Sequence, residues 1–198
     1  RTEFSVLVEM GWGPKDNYGD WHGTENDWVG DATVEGGDLR TVEPRFNGWG
    51  QHYEVDGDAC TFDITTERNS PVYETTQGLV FTVEGDADTE LTVDVAGHDP
   101  MSVAFGDLFG EAAVWAFTDE CYDRIEEEFN LTREDIDNPD GVYHNARKLK
   151  VYPAYPEAAT AATVEFDDLP VTGEDYYYAR VSQVDGQYAW SSPVWVEE

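Results

Sequence analysis

The chain has 198 residues, 40% of them hydrophobic and 14% aromatic, and its 43 Asp and Glu against 11 Lys and Arg give a formal net charge of -32. That length and apolar fraction describe a folded core and exclude a disordered acidic tail. The sign of the charge excludes DNA and RNA backbones as partners, and no apolar run approaches the roughly 20 residues of a membrane-spanning helix.

Only three of the cations are lysine: Lys15, Lys148 and Lys150. The acids are spread along the whole chain, unlike an interaction tail. Charge of this size strains a compact state by self-repulsion, but in molar salt the Debye length falls to about 3 Å and the repulsion is screened. The composition therefore reads as halophilic. The competing reading is an acidic surface that attracts cations or basic partners. Cys60 and Cys121 are too few for a disulfide scaffold and are read as free, buried thiols. A chain that starts at Arg1 without a signal-like stretch is expected to be a trimmed or excised piece.

In chain order, residues 3–10 (EFSVLVEM) suit a buried strand. Residues 11–28 are rich in Gly, Pro, Asn and Asp, which predicts a long loop. Its Trp12, Tyr18, Trp21 and Trp28 either fold back onto the core or form a stacking platform for a glycan or other ligand. Residues 32–34 and 39–46 flank Glu35-Gly-Gly-Asp38, a hairpin signal, and 47–50 (NGWG) form a further turn that displays Trp49. Residues 53–55 and 59–66 flank Asp56-Gly57-Asp58. Strands at 79–83 and 90–95 flank Glu84–Asp88, and further strands are expected at 101–105 and 112–117.

The pattern then breaks. Cys121, Tyr122, Ile125 and Phe129 stand at helical spacing, and Thr132 with Asp135 resembles a capping box. This predicts a helical excursion over about 118–147. Strands resume at 149–152. The end, 175–198 (DYYYARVSQVDGQYAWSSPVWVEE), reads as a hairpin around Asp185-Gly186, a dipeptide suited to a type I′ turn. Alternation puts Tyr177, Ala179 and Val181 on one strand face and Tyr176, Tyr178 and Arg180 on the other. Short strands with turn signals throughout predict an all-β fold with a small helical insertion: one β-sandwich domain over 1–198.

Motifs of chemistry are sparse. Asp135, Asp137 and Asp140 precede or flank a turn glycine, as oxygen ligands of Ca²⁺ do, but proline occupies the third ligand position of an EF-hand pattern and Ala146 its twelfth. His22, His52, His98 and His144 lack zinc-ligand spacing. No GxSxG occurs. Asn130-Leu131-Thr132 is a lone glycosylation sequon.

Two resemblances are carried by the C-terminal residues. Phe166-Asp-Asp-Leu169-Pro170 followed by Asp175-Tyr-Tyr-Tyr-Ala-Arg180-Val resembles the E–F corner and F strand of fibronectin type III and immunoglobulin-like domains, which implies a sandwich of that type with Tyr176 or Tyr177 bracing the corner. The run YYYARVSQVDGQYAWSSPVWVE is similar to the C-terminal end of proteins related to PHP-type (polymerase and histidinol phosphatase) metal-dependent hydrolases, and Trp28, residues 34–40 (VEGGDLR) and 150–153 (KVYP) fit that family's β-region loosely. The hydrolase's metal-binding His and Asp motifs are missing, so no catalytic residue carries over. The resemblance implies a non-catalytic accessory domain of a larger haloarchaeal protein, partnered by an adjoining hydrolase domain. The alternative is an extracellular binding module for glycan or Ca²⁺, with Trp12, Trp21, Trp28 and Trp49 as ligand-binding residues and Asp135, Asp137 and Asp140 as metal ligands. A third reading is an autonomous hydrolase using scattered His and Asp. The cytoplasm of a halophile and the cell surface both fit.

Overall fold

Alternation decides the first strand. In β1 (Thr2–Trp12), Phe4, Val6, Val8 and Met10 point one way and are all buried, because successive side chains leave opposite faces of a strand. β1 is the middle strand of an antiparallel sheet ordered β3 (Asp38–Arg45), β6 (Gln77–Gly85), β1, β10 (Arg147–Val151), β9 (Ala113–Ala116), with the short β11 (Tyr155–Pro156) also pairing β1. A second antiparallel sheet runs β4 (His52–Asp56), β5 (Ala59–Thr66), β2 (Asn26–Glu35), β7 (Glu90–Val95), β8 (Met101–Ala104). The computed structural model describes residues 1–13, 25–67, 74–159, 162–165, 167, 174–182 and 188–197. Its contacts group the chain into two compact units, Arg1–Ala161 and Ala162–Glu198, where the sequence reading expects one domain.

The two sheets of the first unit share one core. Leu79, Phe81, Val83, Leu149 and Val151 of the first sheet meet Trp28, Ala32, Val34, Cys60, Phe62, Ile64, Leu91, Val93 and Val95 of the second. Each large side chain buried in this way contributes about 1.5–3 kcal/mol relative to exposure. Gly30 sits within this alternation because Phe62 and the Asp94 carbonyl occupy the space a side chain would need: a Cβ there would lie 1.9 Å from the Asp94 oxygen.

The hairpin expected at Glu35–Asp38 is a corner instead, and so is the link after β6. β2 and β3 flank Gly36-Gly37, yet β2 pairs β5 and β7 while β3 pairs β6 in the other sheet. Likewise β6 and β7 flank residues 86–89 and belong to different sheets. Thr89 holds both corners together: its buried hydroxyl accepts from Asp86 N (3.0 Å) and reaches the Gly36 carbonyl (3.4 Å). Its carbonyl accepts from Phe105 N (2.8 Å), which opens the single helical turn Phe105–Leu108. By contrast, the Asp56-Gly57-Asp58 link does close a hairpin, β4 with β5, with Gly57 in the left-handed region at φ 59.

Helices α1 (Thr118–Phe129) and α2 (Pro139–Asn145) lie where the strand pattern breaks. Between them Thr132 and Asp135 form a capping box: Asp135 Oδ2 accepts from Thr132 N (2.8 Å) and Oγ1 (2.7 Å). No helix among the described residues is long and apolar enough to cross a membrane.

In the second unit, β12 (Glu174–Tyr177) pairs β15 (Val194–Glu197) and β13 (Arg180–Ser182) pairs β14 (Tyr188–Trp190). The two pairings follow one another along a ribbon with an irregularity between them, where Tyr178 and Ala179 face the three residues 191–193. Ser191 spans the gap, its amide donating to the Ala179 carbonyl and its hydroxyl accepting from the Ala179 amide, both at 2.9 Å. A three-against-two bulge suits Pro193, which has no N–H to give a ladder. The expected turn at Asp185-Gly186 and most of the corner at 166–170 lie outside the described residues.

One substitution made at two glycines separates packing from chain entropy. Gly30→Ala forces a methyl group into the Asp94 backbone and is expected to destabilise by about 1–3 kcal/mol. Gly141→Ala in α2, where the nearest atom would be 3.8 Å away, is expected to stabilise by about 0.4–1 kcal/mol. Denaturant midpoints in molar KCl read both.

Candidate functional site

The densest polar arrangement of the first unit is built on Arg147, the first residue of β10. Its Nε and Nη2 donate to the two oxygens of Glu120 on α1, both at 2.6 Å, and Nη1 donates to the Asp27 carbonyl of β2 at 2.9 Å. A planar guanidinium can make this fork where an ammonium cannot. The cation also lies over the rings of Trp28 (4.8 Å) and Phe117 (5.4 Å). His98, just past β7, stacks on Phe117 at 4.0 Å and places Nε2 2.9 Å from Glu120 Oε1 and 3.2 Å from Arg147 Nη2. Burial works against the Glu120 carboxylate, but the hydrogen bonds and charge of Arg147, aided by His98, outweigh it and hold the group below its ordinary pKa.

Beside this cluster opens a cavity of about 420 Å³ lined by His98, Asp99, Pro100 and Met101 on one side and Val114, Trp115, Ala116 and Phe117 on the other. It is a shallow depression that is largely open to solvent, unlike the enclosing clefts of small-ligand sites. Its walls are mainly apolar, with His98 and Asp99 as the polar groups.

A second polar cluster covers the outer face of β1. Glu9 points away from the core yet is 3% exposed. Its Oε1 accepts from Arg45 Nη1 (3.0 Å) and Thr76 Oγ1 (2.7 Å), and Oε2 accepts from the Tyr152 hydroxyl (2.6 Å). Burial, then the bond to Glu9, pushes the Tyr152 phenol well above its usual range. Both carboxylate oxygens are satisfied, so this network ties β1, β3 and the flanks of β6 and β10 together.

The residues singled out from sequence are dispersed. Trp28 is not a surface platform. It lies in β2, fully buried, with Nε1 donating to Thr66 Oγ1 at 2.9 Å, and is a packing residue. Trp12 ends β1, half-buried, at φ 59. Trp21 lies outside the described residues, as does His22. Trp49 is 98% exposed at a loop tip, between Gly48 and Gly50 at φ 94 and 82. Asp135, Asp137 and Asp140 are all exposed, and the side chain of Asp135 is occupied by Thr132, which holds its pKa below the ordinary value. Among the described residues no group of three or more His, Cys, Asp or Glu is placed to hold a metal ion. Cys60 and Cys121 are both free thiols, Cys60 buried and Cys121 half-buried. Burial pushes Cys60 up to about 11, too high for a thiolate nucleophile at neutral pH.

Sequence reasoning passed over Glu120 and Arg147, and His98 stood alone in it. The one available signal was that Phe117, Glu120 and Arg147 bracket the helical excursion, whose two ends must return to adjacent strands.

The Arg147 cluster has a pH signature. Glu120 has a depressed folded-state pKa, so its stabilisation is complete above the unfolded value of about 4.3 and is lost as pH falls through the lower folded value. Glu120→Gln is expected to flatten the acid limb of stability between pH 5 and lower pH, roughly the window set by that linkage. Thermal melts along a pH series check this.

The comparisons bring no relative to set beside this geometry: the chain matches no family model, no curated protein and no solved structure.

Proposed function

We propose that the chain is a non-catalytic accessory β-sandwich module of a larger, salt-adapted protein related to PHP-type metal-dependent hydrolases, and that it works by docking. The observation that carries this reading is the terminal hairpin. Tyr176, Tyr178, Tyr188, Trp190, Val194 and Trp195 are each more than half exposed, on what is, among the described residues, a two-stranded ribbon. Exposed Tyr and Trp of this density are the residues that anchor interfaces. The rings already stand in groups, Tyr176 with Trp195 (5.1 Å) and Tyr178 (6.5 Å), and Tyr188 with Trp190 (5.8 Å). The net charge of -32 supports the halophilic part of the reading. The similarity of the last 22 residues to the hydrolase-related ending supports a hydrolase domain as neighbour. The same segment's likeness to an F strand supports an immunoglobulin- or fibronectin III-like assignment.

A second reading, an extracellular glycan-binding module, is favoured by Trp49, whose ring is offered to solvent from a glycine-flanked tip. Pyranose faces stack on such rings.

Mixing the chain with the separately expressed hydrolase part of the same reading frame, in molar KCl, tests the first reading. Co-elution on size exclusion is expected, weakened at least about tenfold by Trp190→Ser with Trp195→Ser. A reading frame without a hydrolase part, or co-elution indifferent to the hairpin, overturns it. Retention on a polysaccharide column that Trp49→Ala abolishes is the outcome that would favour the second reading.

A further inference from the structure

Among the described residues the two sheets of the first unit have four edge strands without a further partner, and they are not alike. β3 carries Arg40, Glu43 and Pro44, and β4 carries His52, Glu54 and Asp56. Charges and proline are the usual means of blunting an edge against strand addition. β8 (MSVA) and β9 (AVWA) carry neither, in a chain where 27% of residues are charged. These two bare edges lie on the same side of the first unit and flank the cavity beside His98.

The hydrogen-bond pattern shows which backbone groups are free there. Phe117 N donates to Arg147 O at 3.0 Å. In an antiparallel ladder the bonded residues alternate, so Ala113, Trp115 and Phe117 bond to β10. The N–H and C=O of Val114 and Ala116 then point away from it, toward the open side. The same count from Phe105 N to Thr89 O bonds Met101 and Val103 to β7 and leaves Ser102 and Ala104 facing outward. Val114 and Ala116 are themselves cavity-lining residues. The cavity thus runs along a row of main-chain donors and acceptors that have no partner among the described residues, with Trp115, Met101 and Phe117 as apolar walls.

Charge decides the occupant. Asp99 is the lining carboxylate; it is exposed and has no hydrogen-bond or ion-pair partner among the described residues. His98 and Glu120 are engaged with Arg147. A second copy pairing through the same edge would bring only β9 (AVWA) and its own Asp99, with no Lys or Arg to meet this one.

We propose that the open edge of β9 takes up an extended peptide strand of a partner protein, apolar or neutral along the cavity and carrying a Lys or Arg that meets Asp99. Main-chain bonds to Val114 and Ala116 supply the attachment, and the cavity supplies the side-chain preference. The proposal concerns a surface of the first unit and stands apart from the hairpin reading.

The test is amide hydrogen exchange on the whole chain in molar KCl, with and without a capped KVTVTV hexapeptide. The Val114 and Ala116 amides, free in the unliganded chain, should gain at least about tenfold protection, while Phe117, already bonded, changes little. A peptide of the same sequence N-methylated at alternate residues should confer none. Val114→Pro deletes a donor that β10 does not use and should abolish the protection at Ala116, with unchanged protection at Phe117 reporting an intact ladder. Asp99→Asn should weaken the lysine peptide but not a TVTVTV control. Absence of protection at Val114 and Ala116 up to millimolar peptide, or equal binding by the N-methylated peptide, overturns strand addition. A small molecule competing without protecting these amides would mark the cavity as a ligand pocket instead.

Discussion

The guanidinium of Arg147 holds one end of the first unit together. It stands at the start of β10 in one sheet, binds the Asp27 carbonyl of β2 in the other, and grips Glu120 of α1 with both oxygens. The rings of Trp28 and Phe117 beneath it are in contact with each other, 5.7 Å between centroids. The helical excursion leaves the sheet at Phe117 and returns at Arg147, and those two residues are also a bonded pair of the β9–β10 ladder. One side chain therefore fixes where the insertion begins, where it ends and how the two sheets meet there. Hydrogen bonds to charged groups are worth about 1.5–3 kcal/mol each when buried, and the Arg147 side chain is 14% exposed.

At the other end the same task falls to backbone and small residues. Thr89 links the corner at Gly36 to the corner at Asp86, and Gly37 and Gly85 leave room for it: Cβ atoms there would fall 2.8 and 2.3 Å from its side chain. These glycines serve close approach as much as turn geometry. The two ends thus use different physics, a charge fork with a half-exposed carboxylate at one and a close-packed hydroxyl at the other.

The acidic surplus is distributed around these devices without replacing them. Arg1, Arg40, Arg45, Arg124, Arg133 and Arg147 each pair with a carboxylate, yet most of these pairs are exposed and contribute about 0–1 kcal/mol. The unpaired acids dominate the surface field. Against that background, the edge strands β8 and β9 carry no charged residue.

The succession of strands along the chain, the burial of β1, the inward faces of β5 and β7, the helical excursion and the Thr132–Asp135 capping box were legible in the sequence, because each is set by local composition or periodicity or by residues three apart. The sequence could not distinguish the Gly36-Gly37 corner from the Asp56-Gly57 hairpin. Both are short glycine-bearing links between alternating strands, and only the partner strands distant in sequence, β5, β6 and β7, determine which link closes a ladder. Trp28 read as a loop aromatic because the glycines before it mask the start of β2, and burial assigned it to the core. The Arg147, Glu120 and His98 cluster joins residues 27 and 49 positions apart, a separation at which composition and spacing carry no signal. What the sequence by itself determined was which side chains must be buried. Which sheet buries them, and which backbone edges are left open, only the tertiary structure decided, since hydrogen-bond pairing between strands is a non-local choice.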